Sequence, residues 1–202
     1  MRTLLATAFA ALTFTSCVKE SNNETRYLVN EASSKVEWKG SAPDHFHLGK
    51  FNVKGSVTTK PNGVIKAGEF VIPIASIDNY DLPDPVKHDL LSHLKSPDFF
   101  NMALHPNAAF KILQVTPYSG GDSLAVAGAN YRVSGNFSML GETRQFSFPA
   151  KVSIMGDSLK TVADFTIDRT NWGMKSYSDP KGELYILPWV ELHLDIRTAR
   201  LK

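Results

Sequence analysis

Six histidines, a single cysteine and one Asp-Arg dipeptide are the side chains of this 202-residue chain best suited to chemistry. His45 and His47 alternate, so on an extended strand they share a face. His88, His93 and His105 follow, and imidazoles from both groups would suit a zinc ion. The spacing speaks against that: His88 and His93 are five apart, a poor helical pair for one ion, and no structural-zinc pattern is completed. No metal is therefore expected, and His47 reads as a polar contact at a barrel rim. The guanidinium of Arg169 offers a fork of donors suited to a phosphate or carboxylate head group. The favoured alternative is a structural Asp168–Arg169 pair, since an arginine in apolar surroundings needs a partner whatever the function. The chain contains no G-x-S-x-G elbow, P-loop, dinucleotide fingerprint or H-E-x-x-H. No catalytic residue and no cofactor are expected.

Cys17 is the only cysteine, so it has no disulfide partner within the chain and no C-x-x-C spacing. Its setting explains it. Arg2 supplies a positive start, Leu4 to Phe14 is a short apolar run, and Thr15 and Ser16 are small. That is the order of a secretory signal, too short to serve as a permanent transmembrane helix. Phe14-Thr15-Ser16-Cys17 looks like a bacterial lipobox, in which cleavage leaves a lipid-modified cysteine first. The polar VKESNNET that follows suits a tether. The expected organisation is a signal peptide over 1–16, a lipidated tether over 17–25 and one domain over 26–202. The location expected is the bacterial cell envelope, lipid-anchored to a membrane and facing the periplasm or the cell surface. An ordinary signal peptide beside a stray cysteine is the alternative.

The chain carries 22 basic and 20 acidic side chains, which gives no basic footprint for nucleic acid. Around Arg169 and the histidines lie eight runs rich in β-branched and aromatic residues, at 35–42, 46–59, 64–77, 108–118, 124–140, 142–156, 161–174 and 184–198. Turn chemistry at Pro61-Asn62-Gly63, Gly120-Gly121 and Leu140-Gly141-Glu142 separates them. Apolar residues alternate, as in Phe70, Ile72 and Ile74, in Phe146 and Phe148, and in Leu192, Leu194 and Ile196. Residues 84–100 break the pattern. Asp84 as N-cap, Pro85 in the first turn, and Leu90, Leu91 and Leu94 at helical spacing predict a short helix, stopped before Pro97. The fold expected is all-β: an eight-stranded antiparallel barrel with this helix inserted between strands three and four. A β-sandwich is the competing architecture.

The stretch LLSHLKSPDFFNMALHPNAAFKI resembles the central signature of the YceI-like family, through Leu94, Lys95, Ser96, Asp98, Phe99, Phe100, Pro106, Phe110 and Lys111. Val36 and Trp38, with His47, Gly49 and Phe51, are similar to the family's first two strands. GNFSMLGETRQFSFPAKV resembles its central hairpin, and Arg169 with Gly173 matches its Arg-x-x-x-Gly element. The resemblance spans about residues 26–198. It implies a lipocalin-like barrel that binds a long apolar ligand, a polyisoprenoid or fatty-acid derivative, in an internal tunnel, without catalytic activity. The expected tunnel lining is Trp38, Phe51, Phe70, Ile72, Phe110, Ile112, Val133, Phe137, Phe146, Phe148, Phe165, Ile167, Leu192 and Leu194, with His47 and Arg169 at the head group or rim. The partners expected are the apolar lipid and a membrane reached through Cys17. The oligomeric state stays open, a homodimer included. Two other classes remain: an interaction module with a solid core, and a metal-dependent enzyme on a lipid-like substrate.

Overall fold

The computed structural model describes residues 24–201. Cys17, the leader and most of the tether lie outside them. Eleven strands follow in chain order: β1 (Thr25–Val29), β2 (Lys35–Ser41), β3 (Phe46–Phe51), β4 (Lys54–Thr59), β5 (Ile65–Pro73), β6 (Asp78–Asn79), β7 (Asn107–Pro117), β8 (Tyr131–Met139), β9 (Glu142–Met155), β10 (Ser158–Asp168) and β11 (Trp189–Arg200). One helix, α1 (Val86–Lys95), stands between β6 and β7.

The eleven segments fill eight positions of a closed antiparallel barrel. β1 and β2 lie end to end along β11: Tyr27 opposes Arg200 near its C-terminal end, and Val36 opposes Leu194 nearer its start. β3 and β4 follow each other along the next position, against β2 and β1 respectively. β5 and β6 share the third, and β7 to β11 close the ring as long single strands. The β1–β11 pairing joins the two edges, so the architecture is a barrel and not a sandwich.

Departures from the sequence reading have local causes. β1 begins inside the expected tether, at Thr25. The run 46–59 breaks at Asn52-Val53 between β3 and β4. The run 64–77 leaves the sheet after Pro73 into a 3-10 turn at Ile74–Ser76. The run 124–140 joins the sheet only at Tyr131. The run 161–174 leaves it at Asp168, whose carboxylate accepts from the Thr170 amide at 2.9 Å and starts a 3-10 turn ended by Gly173 at φ 84°. The last strand begins at Trp189, just after Pro188. Asp84 does not cap the helix: Pro85 takes the N-cap position and no side chain hydrogen-bonds the first turn of α1.

One seam of the barrel is closed by backbone over only part of its length. The β9–β10 ladder stops at the Lys151–Val162 pair. The next residues of β9 toward the other end include Pro149, which has no N–H to donate. Beyond it Phe148 stacks on Phe165, and Trp172 packs edge-on against Phe137 and Phe146. The Trp172 indole N–H donates to the Phe137 carbonyl at 3.0 Å.

The registers fix the two ends. One end carries the start of β1, the β4–β5 and β9–β10 turns and the end of β11. The opposite end carries the β2–β3 and β8–β9 turns, α1 with its flanking segments, and the loop from Arg169 to Pro188. The first end is packed by Tyr27, Val57, Val133, Ala150, Val152 and Leu159. The second end opens.

Candidate apolar binding cavity

The barrel interior holds a cavity of about 380 Å³. Its wall contains every residue expected to line a tunnel: Trp38 from β2, Phe51 from β3, Phe70 and Ile72 from β5, Phe110 and Ile112 from β7, Val133 and Phe137 from β8, Phe146 and Phe148 from β9, Phe165 and Ile167 from β10, and Leu192 and Leu194 from β11. The strand pleat explains this, because residues two apart share a face. The same rule accounts for lining residues outside the expected set: Val36 before Trp38, Val53 after Phe51, Ile74 after Ile72, Val190 before Leu192, Ile196 after Leu194. Strand periodicity cannot find those that come from outside the sheet. Leu90, His93, Leu94, Phe99 and Phe100 come from the helical insertion, and Met174, Leu184 and Ile186 from the loop after β10.

The aromatic wall is mutually packed. Phe110 contacts Phe146 and Phe148 at centroid distances of 5.6 and 5.7 Å, and Phe146 contacts Phe165 at 5.5 Å. Glycines make room for these rings. A Cβ on Gly135 would lie 2.4 Å from Phe110 Cζ and 2.5 Å from the Lys111 carbonyl oxygen. One on Gly49 would lie 2.5 Å from Trp38 Cζ2. Trp38 Nε1 is the one buried side-chain polar atom without a partner among the described residues.

The mouth lies between the β2–β3 hairpin, α1 and the 184–186 segment. Phe99 is buried there, and Phe100 meets Phe51 edge-on at 5.5 Å, so the insertion is docked over the opening. His45 and His47 do share a face, their rings 5.4 Å apart and edge-on. Each is engaged by a carboxylate, His45 by Asp44 at 2.6 Å and His47 by Asp81 at 2.8 Å. His93 is 3.1 Å from Asp98 and packs edge-on against Phe99. No group of three or more His, Cys, Asp or Glu side chains able to hold a metal occurs among the described residues.

Asp81 also fastens the upper edge of β3. It accepts from the Leu48 amide at 2.7 Å and from Asn79 Nδ2 at 2.8 Å, while buried Asn79 accepts from the amides of Asp81 and Leu82. Burial pushes the Asp81 carboxyl up, but the hydrogen bonds from His47, Leu48 and Asn79 outweigh it and hold the group below its ordinary value.

Arg169 has 2 % of its surface exposed and forms no ion pair with Asp168, contrary to expectation. Asp168 is occupied by the Thr170 amide and hydroxyl. The guanidinium donates instead to four carbonyls of the next loop: Met174 at 2.7 Å, Ile186 at 2.9 Å, Ser176 at 3.0 Å and Leu187 at 3.3 Å. It also lies 6.0 Å from the Phe99 ring centre. Burial lowers its pKa from the ordinary value, against the opposing fields of Asp168 and Tyr185. Most of the fork is therefore spent on holding the loop that forms one lip of the mouth.

Comparisons with known proteins agree with this architecture. BcnA of Burkholderia cenocepacia superposes with a TM-score of 0.66 at 19 % identity, over 84 % of this chain and 98 % of that one. The YCEI protein of Campylobacter jejuni superposes with a TM-score of 0.55 at 15 % identity, over 74 % of this chain and 81 % of that one. A search of curated proteins finds no match. The family model described as YceI-like domain matches residues 27–198, and the chain belongs to that family.

Proposed function

We propose that the barrel holds one long apolar molecule, a polyisoprenoid or a fatty-acid derivative, and that the protein sequesters or carries it in a bacterial cell envelope, held at a membrane through lipid on Cys17. The observation that carries this reading is the cavity itself: about 380 Å³ walled by aliphatic and aromatic side chains from every part of the ring, with its histidines confined to the mouth. Each methylene moved from water into such a space contributes about 0.8 kcal/mol. Ten methylenes approach about 8 kcal/mol, enough to offset several kcal/mol of association cost. A polar head then rests at the mouth beside Ser41, His45, His47 and His93, where it keeps contact with water. An interaction module with a solid core is disfavoured by the same empty volume. A binding role, not a catalytic one, suits an Arg169 committed to backbone carbonyls.

The test is to purify residues 22–202 without detergent and extract the protein with organic solvent. Mass spectrometry then shows a long apolar molecule near one per chain. A folded domain that yields none, and that binds neither polyprenyl nor fatty-acyl probes, sinks the reading.

A further inference from the structure

We infer that the outer rim of the mouth is a docking patch for a lipid surface, anchored by Trp189 and Phe46, across which the cavity exchanges its ligand. The inference rests on the ligand reading above and adds where and how the ligand enters. Trp189, Phe46 and Leu184 are 58 %, 51 % and 48 % exposed. They form one patch. Val190 opposes Gly40 and Ser41 opposes Phe46, so Trp189 and Phe46 flank Ser41 on neighbouring strand ends. The Leu187 amide donates to the Ser41 carbonyl at 2.8 Å, which brings the 184–187 segment to the same place. One residue further along the strands, Val190 and His47 turn inward and line the cavity. Leu184 lines it while facing solvent. The patch is thus continuous with the cavity wall.

A lipid surface fits this patch better than another protein would. Tryptophan at a water–lipid boundary offers an apolar ring with a polar edge, and lysines beside it keep their charge in water. Lys39 stands there, its Nζ 5.1 Å from the Phe46 ring centre and paired on the outer face with Glu191 at 2.8 Å. A ligand sliding out between Leu184 and His47 would leave the apolar cavity directly into an apolar layer. Neither described chain end covers the patch: Thr25 opposes Thr59, and Arg200 opposes Tyr27, both at the closed end.

The chain carries its own reporter, because Trp38 and Trp172 are buried and Trp189 is the exposed tryptophan. The mature chain with Cys17→Ser, which removes any acyl anchor, is mixed with vesicles of phosphatidylcholine and phosphatidylglycerol. The emission of Trp189 is expected to shift to the blue and to be quenched when the acyl chains are brominated. Phe46→Ser is expected to weaken vesicle binding and to slow transfer of a fluorescent fatty-acyl probe from vesicles, each by about tenfold. Its affinity for the probe in vesicle-free solution stays unchanged, since Phe46 is outside the cavity. Met155→Ser, an exposed apolar position at the closed end, should change nothing. Trp189 emission indifferent to vesicles, wild-type transfer by Phe46→Ser, or an equal loss in Met155→Ser each overturns the docking patch. Failure of the wild type to bind the probe in solution overturns instead the ligand reading on which it rests.

Discussion

Phe148 and Phe165 stack across the seam between β9 and β10, their ring centroids 4.4 Å apart and their planes 22° from parallel. The stack stands where the β9–β10 ladder has stopped and Pro149 offers no donor. Aromatic packing there does part of what backbone hydrogen bonds do elsewhere in the ring. Truncating the buried Phe148 to alanine is expected to cost about 3–5 kcal/mol and truncating the half-buried Phe165 about 3 kcal/mol. The pair should also be coupled by about 0.5–1.5 kcal/mol beyond buried area. A double-mutant cycle in denaturant measures this, and strictly additive losses would show that the two rings stabilise the barrel independently.

Much of the barrel was legible because one face of each strand is buried. Phe70 and Ile72, or Leu192 and Leu194, announce both the strand and the side that faces inward, and a step of two extends the list to Val36 and Val190. Other features lie outside any period. β1 is five residues long, with one of them buried, so TRYLV carries too little pattern to stand out from the tether. The ion pair expected of Asp168 and Arg169 gave way to local geometry. Asp168 is better placed to start a 3-10 turn, and the carbonyls that receive Arg169 come from 174–187, where the sequence offers no signal of backbone acceptors. The separation of β9 from β10 was written in Pro149, yet it reads as a break only once the partner strand is known.

Asp81 makes the stability of the mouth depend on pH. Its folded pKa is depressed, so its contribution is fully present above the unfolded value of about 3.9 and is lost as pH falls through the lower folded value. Asp81→Asn is expected to cost about 1.5–3 kcal/mol at neutral pH, the range for hydrogen bonds to a charged group. The gap in melting temperature between variant and wild type should narrow as the pH is taken below about 4. A gap of constant size down to strongly acid pH would assign the loss to shape rather than charge.

Docking of the helical insertion depends on Phe99 and Phe100, because α1 itself has no fully buried residue. Phe100 reaches Phe51 on β3 and forms part of the cavity wall. Phe100→Ala should lower stability by about 3 kcal/mol, at the low end for a buried phenylalanine, since this ring is only half-buried. It should also weaken binding of a fatty-acyl probe. An unchanged melting temperature would show that the insertion is not fastened through this ring.

The anchor proposed at Cys17 has a direct chemical readout. Cells expressing the full chain and fed labelled palmitate are expected to label it, and Cys17→Ser should abolish the label. Stable attachment needs more than one acyl chain, so the labelled protein should remain with membranes through a high-salt wash. Label that persists in Cys17→Ser would mean that the acyl group, if any, lies elsewhere.

Arg169 provides the sharpest separation of structure from head-group recognition. It satisfies four carbonyls, and a lysine ammonium has three donors on a compact head, too few and wrongly spread for Met174, Ser176, Ile186 and Leu187 together. Leaving even one or two of these carbonyls unpaired costs about 1–3 kcal/mol each. Arg169→Lys is therefore expected to lower global stability by about 2–4 kcal/mol although it keeps the charge. Hydrogen exchange should reveal the cause, with amides of the 174–187 loop, such as that of Ile186 bonded to the Tyr177 carbonyl, losing protection before those of β10 and β11. Ligand affinity should fall for chains with and without an anionic head alike, because the loop supplies Leu184 and Ile186 to the wall. If stability and exchange stay at wild-type levels while only anionic ligands lose affinity, then Arg169 acts on the head group and its loop contacts are incidental.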